Sequence, residues 1–146
     1  EQFERRAMRP LEIMPYAWDG ASDQAAFENV VLDFITRMKD NKLLVNIDLN
    51  TLTRACHSAC KGSVGAVHKL MSALETINPQ SKRRTLDDFA KVYEVHFHGA
   101  ICSNPFRMDS ISDIELDAQH RATINGSLLL SQSRGLLGKS RSNKDF

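Results

Sequence analysis

The chain has 146 residues, of which 42% are hydrophobic and 25% are charged, and its formal net charge is +1. This length and composition predict one globular domain with a core of its own. No apolar run is long enough to span a membrane, which predicts a cytoplasmic protein without a membrane partner, and the small net charge neither favours nor excludes nucleic acid. Three cysteines, an odd number, fit free thiols better than disulfides.

The first predicted elements are an extended segment and a long helix. Residues Arg9 to Tyr16 contain two prolines, which favour an edge strand or a connector over a helix. Ser22 or Asp23 can then cap a helix that should run from about Asp23 to Lys39, because apolar residues recur there at helical spacing. The break at residues 40–42 predicts that this helix ends there.

A helical hairpin is predicted next, with its turn at Gly62. Asn50 or Thr51 should cap the helix before the turn, and Ser63 should cap the following helix, which spans Val64 to Thr76. Gly62 can adopt the left-handed conformation that ends a helix. Gly65 lies early in the next helix, where alanine would be about 1 kcal/mol more favourable. We therefore expect the chain's own packing, a phosphate-bearing ligand or a neighbouring subunit to approach the backbone closely at Gly65.

The remaining elements complete a mainly α prediction. Thr85 to Asp88 should cap a fourth helix, and short connections between four helices predict a helical bundle. Residues 100–146 are rich in serine, asparagine, glycine and arginine, and they predict an extended or partly disordered segment with one short helix, Ile111 to Ala118. The predicted fold is thus a helical bundle, preceded by one extended, strand-like segment and followed by an irregular tail.

Two sets of residues suggest chemistry. Cys56, His57 and Cys60, together with His96, His98 and Cys102, resemble a zinc ligand set, and Cys56 beside His57 could be drawn as a thiol nucleophile with its base. The bundle prediction instead places Cys56 on a buried stripe, so no metal site is predicted and a zinc or thiol enzyme is the less favoured class. The basic loop Lys82, Arg83 and Arg84 precedes a helix N-terminus and could contact the phosphates of nucleic acid.

The order of the motifs resembles the AAA+ transposition ATPases of the TniB/TnsC type. Gln2 to Ala7 is similar to the family's Q-L-x-x-R-F segment, and the extended residues before Trp18 are similar to its hydrophobic-x-L-x-x-W strand exit. Asp23 to Phe27, with Phe34, then corresponds to the opening of the family's long helix. Ser58 to Met71 is similar to the lid pattern S-x-G-x-I-G-x-I-x-x-L-L, and the helix from Thr85 corresponds loosely to the last lid helix.

This resemblance implies a bacterial protein that binds ATP and Mg²⁺ between an α/β core and a helical lid. Such proteins oligomerise on DNA and connect a target-selector protein to the transposase. Arg6, with Arg5 beside it, matches the motif arginine and is the candidate residue that acts in trans on a neighbouring subunit's nucleotide. The turn residues Gly62 and Gly65, and the polar His68 and Lys69, would lie near the nucleotide, although the arginine that many such lids place after this turn is absent.

The resemblance also implies how the chain is organised. Residues 1–20 would end the AAA+ core, residues 21–98 would form the lid, and residues 99–146 would form an interaction tail. Asn104, Pro105 and Phe106 are its candidate contact for a transposase or another subunit. Because the chain lacks Walker motifs, we expect it to be the C-terminal part of a longer protein, inactive by itself and binding ATP and Mg²⁺ only in full length. The alternative is a stand-alone helical module that binds DNA or protein without nucleotide.

Overall fold

The computed structural model describes residues 14–97 and 104–126, and it confirms a mainly α-helical bundle. The elements in chain order are helix α1 (Ala21–Asp40), strand β1 (Leu44–Val45), helix α2 (Leu49–Cys60), helix α3 (Val64–Thr76), strand β2 (Arg83–Arg84), helix α4 (Leu86–His96), a 3-10 turn (Pro105–Arg107) and helix α5 (residues 113–126). Among the described residues, no helix has both the length and the apolar character needed to cross a bilayer.

Helix α1 agrees with its predicted span to within two residues, but the predicted cap was wrong. The N-cap is Gly20, with φ of 94°, and no side chain accepts a hydrogen bond at this end. Asp23 instead lies in the first turn, where its negative charge favours the helix N-terminus. The helix buries Phe27, Val31 and Met38 against the rest of the bundle.

Side-chain caps fix the starts of the other helices before α5. The N-cap of α2 is Asp48 rather than Asn50 or Thr51, and its carboxylate accepts from the Thr51 amide at 3.1 Å. Ser63 caps α3 as predicted, and the predicted cap of α4 is a full capping box in which Thr85 and Asp88 each accept from the other's backbone. These local signals are strong because each satisfies an N–H group that the helix leaves free.

A two-stranded parallel sheet, which the sequence did not predict, joins the two halves of the bundle. Leu44 is paired with Arg83 and Val45 with Arg84. The sheet holds the end of α1 beside the start of α4, because β1 follows α1 and β2 precedes α4. A strand of two residues is too short to produce the alternating pattern by which strands are recognised.

Residues 104–126 contribute to the same core as the helices before them. Phe106 and Ile111 are each 5% exposed, and Leu116 is fully buried. The structure has a helix over residues 113–126, later and longer than the Ile111 to Ala118 helix predicted from the sequence. Phe106, Ile111 and Leu116, which looked scattered in the sequence, thus pack into the bundle, whereas Ile114 is exposed.

Candidate functional site at the Gly62 turn

The turn between α2 and α3 depends on glycine at position 62. Lys61 and Gly62 both adopt left-handed backbone conformations, with φ of 55° and 74°. A Cβ atom at Gly62 would overlap the carbonyl oxygen of Tyr16 and lie 3.1 Å from the Nε2 atom of His57. At Gly65 the nearest atom to such a Cβ would be the Ser63 Oγ, at an ordinary 3.8 Å. A close approach within the chain therefore occurs at Gly62 and not at Gly65, where approach of a ligand or a neighbouring subunit stays a prediction.

The group that approaches Gly62 is the extended segment that precedes α1. The Tyr16 amide donates to the Gly62 carbonyl over 2.8 Å. The ring of His57 donates from Nε2 to the Tyr16 carbonyl, also over 2.8 Å. Both polar backbone groups of Tyr16 are thus satisfied by the turn region, which fixes the segment on the bundle.

His57 is held in an aromatic cage. Its ring is 1% exposed, and the ring centroids of Trp18 and Phe27 lie 4.8 Å and 4.9 Å away. Burial lowers the pKa of His57 and outweighs the opposing effect of its hydrogen bond to Tyr16. The Nδ1 atoms of His57 and of the neighbouring His120 are buried and have no hydrogen-bond partner among the described residues. His57 therefore acts as a neutral donor that anchors the backbone of the segment.

Trp18 provides the second anchor of the segment. Its indole Nε1 donates to the Asp113 carboxylate over 3.0 Å, although the two residues are 95 positions apart in the sequence. Asp113 also forms a 2.6 Å ion pair with Arg54, which in turn donates to the Ile111 carbonyl. The hydrogen bonds from Trp18 and Arg54 lower the pKa of Asp113. The segment is thereby tied to α2 and to the start of α5.

The two polar residues predicted near the nucleotide have different surroundings. His68 is exposed and lines a cleft of about 110 Å³ between α1 and α3, together with Phe34, Arg37 and Glu75. The Lys69 Nζ donates to the His96 carbonyl over 3.2 Å, near the end of α4. Lys69 is thus engaged at another helix end, whereas His68 and Arg37 line an open cleft.

Arg84 is not available as a phosphate ligand in this structure, which corrects the interpretation of the basic loop. Its side chain is 2% exposed, and it donates to the carbonyls of Leu74 and Ile77, each over 2.7 Å, and to that of Ser81 over 2.6 Å. The guanidinium therefore satisfies carbonyls at and beyond the C-terminus of α3. Lys82 and Arg83 are exposed, so they remain the candidate nucleic-acid contacts of this loop.

The predicted partner segment lies against the chain's own helices. The Asn104 side chain donates to the Ala90 carbonyl over 2.8 Å, and the buried rings of Phe106 and Phe89 lie 5.3 Å apart. Partner binding by Asn104, Pro105 and Phe106 stays a prediction, but the ring of Phe106 already packs within this domain. Arg5 and Arg6 lie outside the described residues.

Cys56 and Cys60 lack the properties of a reactive site. Cys56 and Cys60 are both buried, and burial raises the pKa of Cys56 and raises that of Cys60 to about 12. Both thiols are therefore protonated near neutral pH, and a protonated thiol is a poor nucleophile. In residues 14–97 and 104–126 no three His, Cys, Asp or Glu side chains are grouped to hold a metal ion, whereas His98 and Cys102 lie outside that part.

Comparisons with protein-family models, characterised proteins and solved structures found no match to this chain. A functional assignment therefore depends on the motif resemblance and on the geometry of the site. That geometry includes roles that the sequence did not predict, namely the anchoring hydrogen bond of His57 and the ion pair of Arg54 with Asp113. No local pattern marks them, because each acts on a residue more than 40 positions away.

Proposed function

We propose that this chain is the lid-containing, C-terminal portion of an AAA+ transposition regulator. The complete protein would bind ATP and Mg²⁺ between its core and this helical lid, oligomerise on DNA, and link a target selector to the transposase. In this proposal the chain by itself does not hydrolyse ATP, because it carries no phosphate-binding loop: the run Gly138-Lys139-Ser140 has Ser133 where the motif requires glycine.

The observation that carries the proposal is the attachment of residues 14–18 to the Gly62 turn. In the family that the motifs resemble, the chain enters the lid through a strand exit that ends in tryptophan. The corresponding segment here is bound through Tyr16 to the turn and through Trp18 to Asp113. In this proposal a core domain would approach from the side of this turn, so that a nucleotide held between core and lid would lie near it.

The cleft beside His68 gives this proposal a chemical basis without the usual sensor arginine. His68 on α3 and Arg37 on α1 both line it, and the Arg37 guanidinium lies 5.8 Å from the centroid of the Phe34 ring. An arginine supplied from the first helix of the lid could contact phosphate in place of one on the third. Arg6 would act from one subunit on the nucleotide of the next.

The first test concerns the natural protein. Its full reading frame should contain a phosphate-binding loop and an acidic metal-binding strand before residue 1. A complete protein without them would refute the proposal and favour the stand-alone binding module, for which the exposed Lys82 and Arg83 are the candidate DNA contacts.

The second test concerns assembly of the full-length protein. Sedimentation with duplex DNA should show large oligomers only when ATP or a non-hydrolysable analogue and Mg²⁺ are present. Arg6→Ala should lower ATP turnover by about 10³-fold or more, as loss of a trans-acting arginine does elsewhere. Arg9→Ala is the matched control, and equal activity of the two variants would remove Arg6 from this role.

A further inference from the structure

A groove with an apolar floor and a basic rim lies between α1 and the two-stranded sheet. Its volume is about 340 Å³, and its lining residues are Ile35, Lys39, Leu44, Val45, Asn46 and Arg83. Leu44 is 47% exposed, which is unusual for a leucine within a bundle. Lys39 and Arg83 form no ion pair with any residue in the described part of the chain. With respect to residues 14–97 and 104–126, the groove therefore offers both uncovered apolar surface and unpaired positive charge.

The start of helix α5 combines an exposed apolar side chain with negative charge. Ile114 is 84% exposed, more than any other large hydrophobic side chain in residues 14–97 and 104–126. The first turns of α5 carry three acidic residues, of which Asp113 and Asp117 pair with Arg54 and Arg121. Glu115, next to Ile114, has no ion pair among the described residues. An exposed branched side chain thus stands beside an unpaired negative charge.

We propose that the groove binds Ile114 from a second copy of this chain. The apolar floor formed by Leu44 and Val45 would cover the isoleucine, and Arg83 on the rim would face Glu115 of the other copy. A nucleic-acid backbone would use the positive rim and would leave the apolar floor uncovered, so the observations favour a protein partner. This inference deepens the proposed function, because it assigns a surface through which copies of the chain contact each other.

The contact joins two different surfaces, so it is able to link copies in a row or a ring. It is also small. One side chain in one groove buries far less than the 1,200–2,000 Å² of total surface that stable complexes typically bury. The 146-residue chain alone should therefore be monomeric at low concentration, and the contact should become important when other parts of an assembly hold the copies close together.

Two complementary variants test the contact without nucleotide or DNA, so its failure is distinguishable from failure of the proposed function. One isotope-labelled chain carries Ile114→Arg and keeps its groove, while an unlabelled chain carries Leu44→Glu and keeps its isoleucine. In NMR titrations up to about 1 mM, a range that detects weak binding, the amides of Lys39, Val45 and Asn46 in the labelled chain should shift. Each variant alone should show no concentration dependence.

Controls decide whether the contact is specific. Leu32→Glu alters an exposed leucine of α1 that does not line the groove, so in the labelled chain it should leave the titration unchanged. Arg83→Glu in the labelled chain should weaken binding about tenfold, and Glu115→Arg in the unlabelled partner should restore it. Circular dichroism confirms that each variant is folded.

Three results would overturn the inference. These are a titration without shifts, shifts that persist when both chains carry Ile114→Arg, and shifts confined to residues away from the groove. Duplex DNA is added in a parallel titration of the same labelled chain. If DNA shifts the groove amides while the second copy does not, the surface is a nucleic-acid contact and the inference is wrong.

Discussion

Replacing Gly62 by alanine should detach the extended segment from the turn between α2 and α3. The added Cβ would occupy space taken by the Tyr16 carbonyl oxygen, and the backbone at φ of 74° is unfavourable for alanine. The segment must therefore move away from the turn. It would then lose the hydrogen bond from the Tyr16 amide to Gly62 and the bond from His57 to the Tyr16 carbonyl.

The size of the effect follows from these contributions. A non-glycine residue in the left-handed region costs about 1–2 kcal/mol, and each lost hydrogen bond costs about 0.5–1.5 kcal/mol. Gly62→Ala should thus lower the free energy of unfolding by about 2–5 kcal/mol. Gly65→Ala is the matched control: its Cβ meets no atom closer than 3.8 Å, so it should be neutral or raise the free energy of unfolding by up to about 1 kcal/mol.

Urea denaturation measures both variants, and Trp18 gives a local probe of the segment. Trp18 is the single tryptophan of the chain and is 3% exposed, so its emission should move to longer wavelength when the segment is released. Gly62→Ala should show this change before global unfolding, and Gly65→Ala should not. Equal stability of the two variants, with unchanged Trp18 emission, would refute the argument that Gly62 is required by the approach of Tyr16.

The remaining predictions concern a buried cation, a buried histidine and an anchoring carboxylate. Arg84→Met should lower the free energy of unfolding by about 3–4 kcal/mol, because at least three carbonyls lose their donor. Arg83 is exposed, so Arg83→Met should change the free energy of unfolding by less than about 0.5 kcal/mol in the same urea titration. Burial lowers the pKa of His57 in the folded state, so the contribution of His57 to the free energy of unfolding is complete above about pH 6.5 and is lost as the pH falls below that value. His57→Gln should remove this part of the pH dependence of stability. An unchanged plot of stability against pH for this variant would contradict the reasoning. Asp113→Asn should destabilise the chain by about 1 kcal/mol and increase hydrogen exchange in α5, and Glu115→Gln, which removes no described ion pair, should do neither.

The start of a helix could be predicted where one nearby residue was the clear candidate to cap it. Ser63 and Thr85 stand alone before their helices, and each bonds an amide three residues later. Before α2 the chain offers Asp48, Asn50 and Thr51 in close succession, and the sequence analysis chose the wrong members of this set. The choice depends on where the backbone first becomes helical, which β1 and its pairing with β2 help to set.

The described part of the C-terminal segment was harder to predict, because its apolar residues are sparse. Phe106, Ile111 and Leu116 are five residues apart, a spacing that fits neither the helical nor the strand period, so no periodic pattern indicated that they share one core. They are buried because the 3-10 turn and α5 pack against helices formed by residues far earlier in the chain. Composition alone favoured an irregular segment.

The sequence by itself determined helices α1 to α4, the turn at Gly62 and the caps Ser63 and Thr85, because these depend on interactions between residues within about four positions of each other. Tertiary structure decided which glycine is approached, why Arg84 is buried, and how Trp18 is tied to Asp113 across 95 positions. Basic and aromatic side chains can serve a surface or a core equally well. Only the packing of distant segments decides which of these environments a side chain has. The same packing decides which residues stay exposed and able to bind a partner.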